Sequence, residues 1–370
     1  MSVTVQKSAD RMFLLLIAIL VIFGLVMLAS ASSPVGYARF GDTYYFIKKQ
    51  LLFGLLPGMV LFLVLGHMDY RWWKKFGGLI YFASLVFLIL VFIPGIGLIL
   101  NNSRSWVQFF GHSTQPAEFA KLAIIIILAK LLADGRDIKD WKNGLAPVLA
   151  VLAPALLLVG AQPDVGTLSI LVVIIFAMLY AARIPKIYLL MLGLVGVVGF
   201  AALMAVAPYR VQRLTTFLHP ELDPKGVGYQ INQAFLAVGS GGVLGLGLGH
   251  SRQKFQYLPE VQADSIFAIV AEETGFIISV GVIILISFIG LRGLKIARGA
   301  PDEFGYLLAL GIMVWFVWQS FLNIGSIIGL MPLTGVPLPF LSHGGSAMLV
   351  LLAAFGIVAN ISKFNKQLSC

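Results

Sequence analysis

Apolar residues run through this chain in long unbroken blocks, with polar residues gathered between them. The blocks lie near 13–31, 47–66, 78–97, 116–133, 144–161, 167–182, 187–207, 265–291, 305–331 and 345–361. A bilayer core of about 30 Å takes about 20 helical residues. On that measure the pattern predicts an all-α, polytopic membrane protein of about ten spans. Lipid offers no partner to a backbone N–H or C=O, so helices are the expected form. The blocks lack the period-2 alternation of a membrane barrel. One polar interval stands out: residues 208–264 form a long loop between the seventh and eighth blocks. Loops of that length inside compact proteins are usually functional or disordered. This one is interrupted by apolar stretches at 231–238 and 243–248, and is expected to pack on the membrane surface or partly re-enter.

Composition agrees with the pattern. Of 370 residues, 59% are hydrophobic and 11% charged, and mean hydropathy is +0.95. A soluble chain of ordinary composition carries about 25% charged residues. The formal charge of +10 is read as a membrane feature, with no nucleic-acid partner, because Lys and Arg accumulate in cytoplasmic loops. With both termini inside, the inner segments hold Lys7, Arg11, Arg71, Lys74, Lys75, Arg136, Lys139, Lys142, Arg183, Lys186, Arg292, Lys295, Arg298, Lys363 and Lys366. The short outer segments hold Arg39, Lys48, Lys49 and Arg104. The loop 208–264 then faces outward. One cysteine, Cys370, permits no internal disulfide, and residues 1–370 read as a single membrane domain.

Four clusters carry candidate chemistry. In Tyr257 to Phe267, Glu260 and Asp264 lie four residues apart at the mouth of the eighth span. A carboxylate half out of water has a raised proton affinity, which suits a general base; an acidic helix N-terminus is the alternative. Glu272 follows roughly 12 Å deeper, beside Glu273, where ionisable groups are costly and usually paired. In the second cluster, Glu118 and Lys121 are i,i+3 neighbours at the start of the fourth span. They form either an internal ion pair or a phosphate contact. Asp164 sits in the turn Gln162–Thr167 and can cap the sixth span. The fourth cluster is Asn323-Ile324-Gly325 in the ninth span, followed by the Pro- and Gly-rich stretch 332–346. There Ser342, Ser346 and the Gly344–Gly345 amides either bind an anion or belong to a rigid connector. The glycine run 239–249 lacks the strand and GK[ST] ending of a nucleotide loop. No His/Cys spacing suits zinc, and no nucleophile elbow is present.

Taken in order, Phe217–Pro220 with Asp223–Pro224, Gly228–Gln230, Gly239–Gly242, Gly247–Gly249, Ser251–Lys254, Leu258–Glu260 with Asp264, and Thr334–Ser346 resemble the motifs of SEDS peptidoglycan glycosyltransferases. The likeness spans nearly the whole chain and is greater to the division-type branch than to the elongation-type branch. It implies polymerisation of lipid II at the outer face of the cytoplasmic membrane, at the septum, with release of undecaprenyl pyrophosphate. Asp264 matches the family's essential carboxylate and is expected to be the base. Lys121 and Glu118 match its polar pair. Lys121, Arg210, Arg213, Arg252 and Lys254 are expected phosphate contacts, with Glu260, Ser342 and Ser346 beside the substrate. A class B penicillin-binding protein, other division proteins and membrane lipids are the implied partners. A divalent cation could assist, without a dedicated protein cage. His343, Gln262, Ala263, Ser265 and Ser105 depart from the residues usual in the family. The competing classes are a lipid II flippase, which needs polar groups through the whole depth, an elongation-type polymerase, and a scaffold that only binds division partners.

Overall fold

The computed structural model describes residues 8–100, 103–109, 112–135, 140–206 and 208–365. Each expected apolar block falls largely on a helix. These are α1 (Arg11–Phe40), α2 (Tyr45–His67), α3 (Arg71–Leu90), α4 (Pro116–Ala133), α5 (Trp141–Ala161), α6 (Val165–Ala181), α7 (Lys186–Val206), α10 (Ile266–Arg298), α11 (Glu303–Ile327) and α12 (Gly345–Lys363). Among the described residues, seven are long and apolar enough to cross a membrane: α1, α2, α3, α5, α10, α11 and α12. The other three expected spans lie on α4, which carries Glu118, Lys121 and Lys130, on α6 with 17 residues, and on α7. Of the charges used for orientation, Lys7, Arg136, Lys139 and Lys366 lie outside the described residues.

Local chemistry sets the helix ends. Asp10 caps α1 by accepting from the Phe13 N–H at 2.8 Å, and Gly41 closes it in a left-handed conformation. Asp164 caps α6 through the Thr167 N–H, and Asp302 caps α11 through the Gly305 N–H. Each satisfies a donor that a helix start leaves open. The third span runs earlier than the expected 78–97. It ends at Leu90, before Pro94 and Gly95, and a three-stranded antiparallel sheet follows: β1 (Gly97–Leu100), β2 (Ser103–Phe109) and β3 (His112–Thr114). The sequence reading had no strand there.

Burial sorts the helices into layers. In α4, Ile124, Ile125, Ile126 and Leu128 are fully buried on successive faces, and most of α11 and α12 is buried too. These three form the centre of the bundle. By contrast α7 exposes Leu190, Leu194, Val195 and Val197 at 65–70%, as a helix bathed in lipid would. On the side of the termini, Asp10 binds Arg292 through contacts of 2.7 and 2.9 Å, and its own N–H donates to Ser362. This ties α1, α10 and α12 together.

The interval 208–264 is more ordered than a loop. It holds α8 (Pro208–Leu218), a short 3-10 turn at Pro220–Leu222, and α9 (Val227–Ser240). The glycine-rich stretch after α9 then wedges into α10, which breaks at Gly275 (φ 75°, ψ −177°). The Leu246 and Gly247 N–H groups donate to the Glu272 and Glu273 carbonyls at 3.0 Å. In return the Phe276 and Ile277 N–H groups donate to the Gly242 and Val243 carbonyls. Groups freed by the break are thus paired again, as an apolar environment requires. A Cβ at Gly275 would strike the Gly245 N–H, and one at Gly245 would strike the Glu273 carbonyl.

The two glycines meet at left-handed φ values, which cost a side chain about 1–3 kcal/mol before any collision. Gly275→Ala and Gly245→Ala are each expected to lower the thermal midpoint of the detergent-purified protein. An unchanged midpoint in both would show that the wedge tolerates a side chain and is not closely packed.

Candidate active site

The tight turn before α10 carries the first cluster. Ala263 and Ser265 donate their N–H groups to the Glu260 carbonyl at 2.9 and 3.3 Å, and Glu260 itself adopts φ 50°. This fold-back presents Asp264 at the helix mouth. Its backbone carbonyl accepts from Asn323 Nδ2 at 2.7 Å, and the same nitrogen donates to the Val336 carbonyl at 2.8 Å. Ser265 Oγ lies 3.5 Å from Asp264 Oδ1 and accepts from Gln230 Nε2 at 3.0 Å. Across the carboxylate stands Gly335 at φ 72°, where a Cβ would lie 3.8 Å from Oδ2. Burial, then the charge of Glu260, pushes the Asp264 carboxyl up to about 6; its backbone hydrogen bond, Arg213 and Ser265 pull the other way. A carboxyl so placed is mostly ionised at neutral pH yet basic enough to take a proton.

The Pro-rich stretch lies against this turn. Residues 328–344 contain no helix, and Gly335 and Phe340 both take positive φ. Side chains from neighbouring helices satisfy its backbone. Gln319 Nε2 donates to the Pro337 carbonyl at 2.9 Å, and Ser342 Oγ accepts from the Leu338 N–H at 2.8 Å. Gln50 donates to the Ser342 carbonyl and accepts from the Gly344 N–H. The His343 N–H donates to the Gln262 carbonyl at 2.7 Å, while Gln262 Nε2 donates to Glu260 Oε2 at 2.9 Å. The His343 ring meets Phe46 edge-on at 5.2 Å. Burial and the nearby Lys49 push its imidazole down to about 4, so the ring is neutral at pH 7. Ser346 Oγ accepts from the Gln115 N–H at 3.4 Å.

Several expected contacts lie elsewhere than the sequence suggested. Lys121 is fully buried and donates to Glu118 Oε1 and Gln319 Oε1, each at 2.7 Å, with the Trp315 ring centroid 4.8 Å away. It supports the Pro-rich stretch from beneath, through Gln319, and does not face the open side. Glu118 Oε2 has no hydrogen-bond partner among the described residues. Glu118 borders a cavity of about 10 Å³ shared with Pro337–Phe340 and Ser342, which is room for about one water. Lys254 is also turned inward. Its ammonium donates to Glu273 at 2.8 Å and Ser30 at 3.1 Å, and Ser30 Oγ donates to Glu273 as well. Glu272 accepts from the Arg252 N–H at 2.9 Å and from Ser251 Oγ. Arg213 and Arg252 are exposed, as a contact to an incoming ligand requires. The side chain of Arg210 lies outside the described residues. Asp164 accepts from Gln115 Nε2 and Thr167 Oγ1, the cap that its turn predicted.

The residues that sequence reading missed as site members are the neutral amides Gln50, Gln230 and Gln319, while Asn323 stands in the fourth cluster without a role. A signal for Gln319 exists. Gln319 and Asn323 stand four apart in an otherwise apolar span, hence on one face.

The family model FTSW_RODA_SPOVE, described as cell cycle protein, matches residues 10–367. Stage V sporulation protein E of Bacillus subtilis is 41% identical over 98% of this chain and 99% of its own. The probable peptidoglycan glycosyltransferase FtsW of Trichlorobacter lovleyi is 41% identical over 95% of this chain and 93% of its own. Among solved structures, a chain from a peptidoglycan synthase complex that coordinates polymerisation and crosslinking superposes with TM-score 0.78 at 25% identity, covering 97% of this chain and 99% of that one. The rod shape determining protein RodA of Thermus thermophilus superposes with TM-score 0.71 at 26% identity, over 97% and 98%.

A carboxyl at about 6 would, as general base, set the acid limb of the pH–rate profile, with activity expected to rise as pH climbs through that value. Glu260→Gln removes a negative neighbour and is expected to move the limb down. Arg213→Ala removes a positive neighbour and is expected to move it up. Rates that ignore pH between 5 and 7 would disconnect Asp264 from the chemical step.

Proposed function

Since this chain belongs to the FtsW/RodA/SpoVE cell cycle protein family, we propose that it is a peptidoglycan glycosyltransferase that polymerises lipid II in the bacterial cytoplasmic membrane. The reaction is attack of an acceptor GlcNAc 4-hydroxyl on the anomeric carbon of a lipid-linked MurNAc. A C–O bond forms between the sugars, the bond from the anomeric carbon to the pyrophosphate oxygen breaks, and undecaprenyl pyrophosphate leaves. The observation that carries this reading is Asp264, a carboxylate at a helix mouth with its proton affinity raised to about 6. There it is within reach of a sugar head group whose lipid tail stays in the bilayer. Asp264 takes the hydroxyl proton. Arg213 and Arg252 meet the pyrophosphate, whose oxygens a guanidinium can grip in pairs. Arg210 is assigned to the same task by sequence alone. Glu260 tunes the base, and Ser346 with the α12 N-terminus borders the sugars.

Division is the proposed setting, with the septum as its place and both termini in the cytoplasm. Identity of 41% to an FtsW-named relative and to the sporulation protein, against 26% to RodA, supports this branch. A transpeptidase of the class B penicillin-binding type is the proposed partner, supported by the likeness to a chain from a synthase complex. A flippase needs polar groups exposed along a path. Here the deep charges Glu118, Lys121, Glu272, Glu273 and Lys254 are held in contacts with one another and with capping groups, which favours chemistry at the outer surface.

Two substitutions separate contact from support. Arg252→Ala is expected to raise KM for lipid II by about one to two powers of ten, the loss of a charge-assisted contact. Lys254→Ala is expected to lower the yield of folded protein, because a buried Glu273 left without its cation costs about 3–5 kcal/mol. Equal behaviour of the two variants would overturn the distinction.

Asp264→Asn keeps size and polarity but cannot take the proton. Turnover is expected to fall about 10²–10⁴-fold in folded protein supplied with labelled lipid II and its partner. Polymer at the wild-type level would reject Asp264 as the base. Transbilayer movement of lipid II by wild-type protein that makes no polymer would favour the transporter.

A further inference from the structure

Asn323 lies in the middle of the outer half of α11, only 1% exposed, in a span whose neighbours on that turn are Leu322, Ile324 and Gly325. A primary amide in such surroundings has to find partners for two hydrogens or lose stability. Both hydrogens are spent, and on backbone. One reaches the Asp264 carbonyl at 2.7 Å and the other the Val336 carbonyl at 2.8 Å. These acceptors belong to the two non-helical segments that make up the candidate site, 72 residues apart in sequence. The side-chain oxygen has no hydrogen-bond partner among the described residues, so the amide is oriented by its donors alone.

We infer that Asn323 is a positioning residue for the glycosyl transfer, holding the turn that bears Asp264 against the Pro-rich stretch so that the carboxylate stays over Gly335. The proposal rests on the reading of Asp264 as base. Chemistry explains the residue type. An aspartate here would set two acceptors against two carbonyls. A serine would serve one carbonyl and release the other. A glutamine would need an extra methylene in a filled space. Because the bond is to the Asp264 backbone, the carboxylate keeps both oxygens for other uses. Fixing the main chain of both segments also keeps Gly335 against the carboxylate, where a Cβ would lie 3.8 Å from Oδ2. Gln319 repeats the device four residues earlier on the same face, on the Pro337 carbonyl, but it touches only one of the two segments.

The test uses the full chain with its transpeptidase partner, labelled lipid II as substrate, and the variants Asn323→Ala, Asn323→Ser and Asp264→Asn. Misplacing a catalytic group by about 1 Å can cost on the order of 10²-fold. Folded Asn323→Ala is therefore expected to lose roughly 10- to 100-fold in kcat with KM for lipid II nearly unchanged, and Asn323→Ser to fall between it and wild type. The acid limb should also move, from about 6 toward the ordinary 3.8, as the released carboxylate gains water. A packing role alone would lower folded yield without moving that limb. If Asn323→Ala does not fold, Asn323→Ser decides by the same two readouts. Wild-type kcat and an unmoved limb in a folded Asn323 variant, beside an inactive Asp264→Asn, would overturn the positioning role and leave the base intact. Full turnover in Asp264→Asn would overturn the base and this proposal together.

Discussion

Nothing in a bilayer interior can replace a lost backbone hydrogen bond, and that constraint accounts for how two breaks in the helical pattern of this protein are answered. Each unpaired group in hydrocarbon costs several kcal/mol, so a break in a helix has to be answered by protein. Two breaks occur at the site. At Gly275 the answer is backbone: residues 242–247 pair with the groups that α10 sets free. Along 332–344 the answer is side-chain amide: Gln50, Gln319 and Asn323 serve carbonyls and an N–H that prolines and glycines leave without a ladder. The same solvent that forbids loops therefore selects glutamine and asparagine where a water-soluble protein would use water.

Charge follows the same rule. Among the described residues, Glu118, Lys121, Lys254, Glu272 and Glu273 are buried in the bundle, and each is in contact with an opposite charge, a backbone N–H or a hydroxyl. Breaking one such pair is more costly than never having built it, which makes these residues sensitive to substitution without making them catalytic. Asp264 differs in kind. Its neighbours include a second carboxylate, and the exposed Arg213 only partly offsets it. A partly buried group held in an unfavourable ionic state is a better candidate for proton transfer than a group at rest in an ion pair.

Much of this was legible in the chain. Run length located the helical blocks because lipid imposes one ruler on all of them. Asp264, Glu260, Arg213 and Arg252 were visible as charges out of place. The strands at 97–114 were not, because the third apolar run, 78–97, read straight across Pro94–Gly95 to Ile96 and Gly97. The directions of Arg252 and Lys254 were not legible either. They stand two apart in a turn with no periodicity, and one faces out while the other faces Glu273. Gln50, Gln230 and Gln319 escaped notice, and Asn323 carried no assigned role, because a neutral side chain alters neither hydropathy nor net charge enough to show what it holds.

The wedge at Gly275 also bears on how the chain is made. As one rod, the 33 residues of α10 would measure about 50 Å, well beyond a hydrocarbon core of about 30 Å. The break leaves residues 276–298 as a span of ordinary length and assigns 266–274 to the protein-enclosed layer above it. The glycine stretch is synthesised before the helix it interrupts. It is therefore already present when α10 forms, ready to pair with carbonyls at 272 and 273 as they arrive. Order of synthesis and order of assembly coincide at this joint, and a long helix that would otherwise overshoot the bilayer is seated at the depth its outer mouth requires.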